Sequence, residues 1–302
     1  MLLCRLVLFR QKMITLFTPE NATANMPLIV YLHGGSGKSE DNDISKLTEN
    51  GFCQWVSEKK FDDVPAYIIF PQLPSKYQGW NPAKGVIKQL VEAVSSKYSI
   101  DTDRISLTGH SMGGTGTYTI ATAYPDLFSC IAPMSGSIEC TDANITALGN
   151  MPVWAFVGSA DKIVDPKYSV DFVAALQAKG CNAKITNFTD ATHFDIPTLA
   201  YLDESLDVVG WLIGNSKKNI ISDYADNVAV VNCQLPDTYT IIFADYDDNG
   251  KLNNLKCVTQ TLNYGKNNIP LPNDISIGIN DKIMLWKSLA TVLPVCEVYI
   301  VN

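Results

Sequence analysis

The sequence predicts an α/β protein, a mostly parallel sheet flanked by helices, followed by a smaller all-β region. Three observations carry this. Strand-like runs such as Leu28-Ile29-Val30-Tyr31-Leu32 and Val153-Trp154-Ala155-Phe156-Val157 alternate with segments whose apolar residues recur at helical spacing, the pattern of a parallel sheet with right-handed crossovers. Glycine- and serine-rich loops follow several of these runs, at the strand ends where such a sheet places its ligands. After Gly214 the helical spacing stops, and short strand-like runs divided by turns replace it. The 302 residues are ample for a sizeable core, and 46% hydrophobic with 18% charged residues is a globular composition. A net charge of −8 argues against a nucleic-acid partner, whose phosphates require clustered Lys and Arg. No apolar run approaches the length of a membrane span.

Residues 1–10 are apolar but interrupted by Arg5 and Arg10, whereas an export signal places its charge first and an unbroken apolar stretch after it; none is expected here. Residues 13–17 and 28–32 read as strands around a turn at 18–25. Ile44, Leu47, Phe52, Trp55 and Val56 suit a surface helix, and Gly51 favours two short pieces. Residues 66–70 form the next strand, and Val86, Ile87, Leu90, Val91 and Val94 one face of a helix ending near Tyr98. A short aliphatic strand ending at Thr108 precedes a helix over 115–124. Strands at 128–134, 152–158 and 183–188 and helices at 170–179 and 199–213 complete the pattern.

The chemistry centres on Gly109-His110-Ser111-Met112-Gly113, a Gly-x-Ser-x-Gly elbow between a strand and a helix. Such a turn exposes the serine hydroxyl, and the N–H groups opening the following helix can face a developing oxyanion. A serine is a poor nucleophile without a base, usually a histidine held by a carboxylate. The chain has only His33, His110 and His193. His110 adjoins the serine and is expected to point away from it. His33 opens a glycine-rich loop, His33-Gly34-Gly35, that resembles the oxyanion loop of esterases and lipases. His193, in the loop after the 183–188 strand, is left as the base. The acid is sought between serine and base. Asp161 is the first carboxylate past the 152–158 strand, with Asp165 as the alternative, better suited to a turn or cap. Asp195 lies too near His193 in sequence to orient it.

Residues from about 13 to 214 resemble the α/β-hydrolase superfamily, in particular the compact esterases and predicted peptidases related to polyhydroxybutyrate depolymerases and feruloyl esterases. The matching motifs are His33-Gly34-Gly35, Gly109 through Gly114, Gly158-Ser159-Ala160-Asp161, the His193 loop, and Phe70-Pro71-Gln72 with Gly79-Trp80-Asn81-Pro82. The resemblance implies an α/β-hydrolase fold and a Ser111-His193-Asp161 triad that hydrolyses carboxylic esters, small or polysaccharide-linked, of feruloyl or acetyl type. It implies an oxyanion hole from Met112 with Gly34 or Gly35, no cofactor and no metal. Trp80, His33 and His110 are expected to border the substrate. Only 50 positions separate Ser111 from Asp161, which leaves no room for a large lid. A peptidase or a thioesterase would use the same triad.

The expected domains are a catalytic one over 1–216, a linker over 217–221 and a β-sandwich over 222–302, with strands near 228–231, 239–243, 256–259, 281–286 and 295–301. The last region resembles modules appended to secreted enzymes of anaerobic gut bacteria, on Phe243-Ala244-Asp245-Tyr246-Asp247, Gly250-Lys251-Leu252, Met284-Leu285-Trp286 and Leu293-Pro294-Val295-Cys296-Glu297. This implies an extracellular or cell-surface protein, the alternative being cytoplasmic, and admits glycan contact through Tyr239, Tyr264 and Trp286 if these are not core. A carbohydrate-binding protein with a residual hydrolase domain is the reading from a different class. Asp245-x-Asp247-x-Asn249-Gly250 imitates a calcium loop, but Lys256 stands where its final glutamate belongs, so a hairpin turn is expected. The eight cysteines are scattered without a Cys-x-x-Cys pair, which argues against structural zinc. Cys130 and Cys140 are either bridged or free.

Overall fold

A computed structural model describes residues 5–9, 12–41, 43–48, 51–149, 151–234, 236–263, 265–290, 294–296 and 298–301. The chain separates into two compact units, Met1–Asn215 and Ser216–Asn302. The first is built on one eight-stranded sheet. Its strands are β1 (Arg5–Phe9), β2 (Lys12–Phe17), β3 (Met26–Leu32), β4 (Tyr67–Pro71), β5 (Ile100–His110), β6 (Cys130–Met134), β7 (Val153–Gly158) and β8 (Ala183–Phe188). They lie in the order β1-β2-β4-β3-β5-β6-β7-β8, antiparallel at β1, β2 and β4 and parallel from β4 onward.

Because side chains alternate across a strand, β3 feeds two cores. Leu28, Val30 and Leu32 pack against α3 (Lys84–Tyr98), α4 (Met112–Ala123) and α6 (Lys167–Ala178). Ile29 and Tyr31 pack on the other side with α1 (Ser45–Thr48), α2 (Gly51–Ser57), α7 (Ile196–Tyr201) and α8 (Val208–Gly214). A sheet with helices on both faces is the α/β-hydrolase arrangement the sequence implies, and it aims the ends of β3, β5, β7 and β8 at one edge.

The structure departs from the sequence reading where polar residues join apolar elements. β5 is longer than the short aliphatic run ending at Thr108: it begins at Ile100 and takes in Asp101, which forms an ion pair with Arg104 at 2.6 Å. The helix expected over 199–213 is two, α7 and α8. Between them Asp207, at φ 44°, caps α8 through the N–H of Gly210. A further helix, α5 (Asp142–Leu148), escaped notice although Thr141 caps it through the Asn144 N–H. β1 falls in the stretch weighed only as an export signal. Its backbone pairs with β2 from Arg5↔Leu16 to Phe9↔Lys12. Among the described residues no helix is long and apolar enough to cross a membrane.

The second unit holds a three-stranded sheet, β13-β10-β9, and a four-stranded one, β12-β11-β14-β15. The strands are β9 (Ile220–Ala225), β10 (Val228–Cys233), β11 (Asp237–Tyr246), β12 (Leu252–Leu262), β13 (Gly265–Pro270), β14 (Lys282–Trp286) and β15 (Tyr299–Ile300). Ile221, Val231, Ile241, Phe243 and Leu285, drawn from both sheets, share one apolar cluster. β9 starts at Ile220, inside the expected linker, and β13 was not anticipated. Asp245-x-Asp247-x-Asn249-Gly250 spans the end of β11 and its turn into β12. There Asp247 Oδ1 accepts the N–H groups of Asn249 and Lys251 at 2.9 and 2.8 Å. The aromatic strip does not form. Tyr239 is core, whereas Trp286 pairs with Thr240 and therefore points to the other face of the same sheet; Tyr264 lies outside the described residues. Cys130 and Cys140 are both free thiols, the first buried and the second exposed.

Candidate active site

Ser111 sits between the end of β5 and the start of α4 with φ 59° and ψ −120°, a strained conformation for a residue with a side chain. Its surroundings explain the glycines. A Cβ on Gly113 would lie 1.9 Å from the Leu32 carbonyl oxygen, and one on Gly109 2.5 Å from the same atom. Only bare backbone lets α4 press this closely against the end of β3. The Ser111 N–H is used by the Met134 carbonyl at 2.9 Å. The N–H of Met112 opens α4 and has no acceptor four residues back within that helix.

His193, from the loop after β8, faces this serine. Its Nε2 lies 2.7 Å from Ser111 Oγ, and its Nδ1–H donates to Asp161 Oδ2 at 2.7 Å. The carboxylate acceptor fixes the tautomer, so Nε2 is free to accept from the hydroxyl. Asp161 is buried in the loop after β7. Burial pushes its carboxyl up. The N–H bonds from Val164, His193 and Ile163 outweigh that and hold it below the usual carboxylate range, so it stays charged. Asp165 is exposed and accepts the Lys167 N–H at the start of α6. Asp195 is exposed and binds Thr192. Of the three carboxylates weighed, Asp161 is the one that meets His193.

His33 and Trp80 are placed differently from expectation, and His110 turns to the His193 main chain. His33 is buried, accepts the Leu73 N–H at Nε2 (3.0 Å) and donates from Nδ1 to the Gly34 carbonyl (2.6 Å). Burial, chiefly, lowers its pKa to about 4, so it is neutral and bound on both nitrogens, with none left for a ligand. Trp80 is also buried. Its Nε1–H donates to the His33 carbonyl, and its ring fills the space a side chain at Gly116 would need. These two residues therefore brace the Gly34-Gly35 loop from behind instead of bordering a substrate. Gln72 adds to the brace by donating to the Gly37 carbonyl at 3.0 Å. Gly34 itself is close to Ser111, since a Cβ on it would stand 3.5 Å from Ser111 Cβ. His110 is half-buried, and its Nε2–H donates to the main-chain carbonyl of His193 at 2.8 Å. Burial first, and His193 second, lower its pKa to about 4.

Sequence reasoning passed over Phe194. It is 74% exposed with its ring edge-on to His193, the centroids 5.3 Å apart. A large apolar side chain next to His193, in an otherwise polar loop, was the available signal. Among the described residues no cluster of His, Cys, Asp and Glu is arranged to hold a metal.

A family model described as "Putative esterase" matches residues 9–171, more than half of the chain. The chain belongs to this esterase family. It is 30% identical over 132 residues to a poly(3-hydroxyalkanoate) depolymerase of Paucimonas lemoignei, covering 39% of this chain and 30% of that one. It is 28% identical over 128 residues to a bifunctional acetylxylan esterase/xylanase of Neocallimastix patriciarum (41% and 18% covered). Feruloyl esterase B of Thermothelomyces thermophilus is 28% identical over 138 residues (40% and 43%). The matches thus span less than half the length of each of these relatives. Among solved structures, a thermostable esterase superposes with a TM-score of 0.58 at 25% identity, covering 68% of this chain and 59% of that one. A ferulic acid esterase does so at 0.51 and 16%, covering 67% and 92%, a likeness of fold.

Proposed function

We propose that the protein is a serine carboxylesterase. The observation that carries this is the unbroken relay Ser111–His193–Asp161, two contacts of 2.7 Å each, on a strained strand-to-helix turn. In this reading Ser111 Oγ attacks the acyl carbon and passes its proton to His193 Nε2. The imidazolium, stabilised by Asp161, then returns the proton to the leaving alcohol. The acyl-enzyme is opened by water activated in the same way. The Met112 N–H, with that of Gly34 or Gly35, receives the oxyanion; each such donor lowers the barrier by roughly 3 kcal/mol.

The substrate we propose is a small or polysaccharide-linked ester of feruloyl or acetyl type. The names of the relatives support this, acetylxylan and feruloyl esterases among them. So does Phe194, an exposed ring beside the base that offers an aromatic acyl group a stacking surface. The second unit reads as an accessory β-sandwich domain, supported by its two sheets around one apolar cluster. The proposed setting is extracellular or at the cell surface, where wall polysaccharide is found.

The test is hydrolysis of p-nitrophenyl acetate, butyrate and octanoate, methyl ferulate and acetylated xylan. Ser111→Ala is expected to lower kcat by about 10⁶-fold. Phe194→Ala is expected to raise KM for methyl ferulate several-fold more than for p-nitrophenyl acetate. A folded wild-type protein inert toward all these esters would sink the proposal.

A further inference from the structure

His193 is held at two points by two consecutive residues. Ser111 meets the imidazole at Nε2, and His110 donates to the main-chain carbonyl of the same residue at 2.8 Å. The second contact answers a local need. His193 is buried and lies two residues before Asp195, the N-cap position of α7, whose carbonyl accepts the first helical bond from the Leu199 N–H at 3.0 Å. The His193 carbonyl stands outside that series, and a buried carbonyl left alone is costly.

We propose that His110 is a positioning residue which supplies the donor that α7 does not, and so fixes the backbone from which the His193 imidazole reaches Ser111. It neither touches the substrate nor moves a proton. The carbonyl only accepts, so His110 carries its ring proton on Nε2. The low pKa keeps His110 neutral, so it does not repel the imidazolium that forms on His193 4.7 Å away. The rest of the loop is tied locally, Thr192 to Asp195 at 2.7 and 2.6 Å and the Asp190 N–H to Ser159 Oγ at 2.8 Å. None of these bonds sets the carbonyl of residue 193. The inference rests on the esterase reading given above, and it extends the role of residue 110 beyond filling a slot in the elbow.

The test is kinetic. His110→Leu keeps the volume and removes the donor. It is expected to lower kcat roughly 10–100-fold with KM changed less than about twofold, as a small displacement of a catalytic group does. His110→Gln, whose amide N–H reaches a similar point, is expected to recover most of that loss. Retention of wild-type kcat in His110→Leu overturns the proposal. So does a loss that His110→Gln does not relieve. Ring ¹⁵N shifts of His110 in the wild-type protein give a readout independent of turnover; a proton on Nδ1 in place of Nε2 also overturns it. A wild-type protein inert toward every ester is instead the failure of the esterase reading, and the ring ¹⁵N shifts then decide the clamp alone.

Discussion

Only the first unit places positive φ after the ends of parallel strands. Of its seven described residues other than glycine with positive φ, Ser111, Ser135 and Asp190 follow β5, β6 and β8, whereas Asn25, Lys59, Ser99 and Asp207 lie in ordinary connections. In the second, Asp226, Asn227 and Gly250 occupy the tight connections β9–β10 and β11–β12, and Asn280 precedes β14. Positive φ at a hairpin tip only reverses the chain, and Asn, Asp and Gly accept it readily. Positive φ at the end of a buried parallel strand requires surrounding structure to enforce it. In unit 1 that structure consists of carbonyls and small residues packed so closely that a side chain on Gly109 or Gly113 has no room. The lesson is that strain is imposed by packing where it aims a side chain, as at Ser111, and marks only a turn where local residues choose it.

The largest effect that tests this contrast, after the loss of Ser111 itself, belongs to Asp161. Asp161→Asn keeps the size of the side chain and removes the charge that fixes the His193 tautomer, so kcat should fall about 10⁴-fold with the fold intact. The acceptor at Oδ1 for the Ile163 and Val164 N–H groups survives in the amide, which is why little change in melting temperature is expected. Unchanged kcat in Asp161→Asn would mean that the irregular loops of unit 1 serve packing alone, and the contrast between the units would fail.

The next effect is set by the histidines, all three of which lie in unit 1. His33 and His110 have pKa values lowered to about 4, mainly by burial, against 6.5 when exposed. Between pH 6.5 and 4 the unfolded chain therefore binds protons that the folded one refuses. Stability is complete above pH 6.5 and is lost as pH falls toward 4, by at most about 3 kcal/mol for each residue. Hydrogen exchange followed by mass spectrometry at pH 7 and pH 4.5, corrected for intrinsic rates, should show unit 1 peptides losing protection from this cause. Peptides of β10 and β11 lack any histidine and should not share the loss. Equal loss in both units would sink this account. Substituting His33 with Phe should abolish its share of the pH dependence while loosening the Gly34 loop, which separates the two functions of that ring.

Much of this was legible in the sequence. The sheet, the turn at Ser111, the choice of His193 as its partner and of Asp161 over Asp165 all follow from local composition and order, because each depends on residues within a few positions of a strand end. The roles of Trp80 and His33 did not follow, since burial is decided by what packs from elsewhere: Gly116 under the indole and the Leu73 N–H on the imidazole. The strip of Tyr239 with Trp286 failed for a related reason, because strand pairing puts Trp286 beside Thr240 and reverses its face. The His110 clamp lay between these cases. His110 is visible beside Ser111 in the sequence, but the carbonyl it meets 83 positions away is not.

The smallest expected effect concerns the turn that mimics a calcium loop. Asp247 Oδ1 accepts the N–H groups of Asn249 and Lys251, and the Gly250 N–H returns to the Asp247 carbonyl while Gly250 holds φ 76°. With its carboxylate occupied by the turn's own backbone, Asp247 acts as the lock of the β11–β12 hairpin. Asp247→Ala should therefore cost about 1 kcal/mol, the scale of one or two exposed hydrogen bonds. The cost should be read as faster exchange in β11 and β12, with ester hydrolysis unchanged. Adding calcium should leave the wild-type exchange pattern as it was. A calcium-dependent gain of protection, abolished by Asp247→Ala, would give this turn a ligand and move it from the regular to the functional side of the contrast between the units.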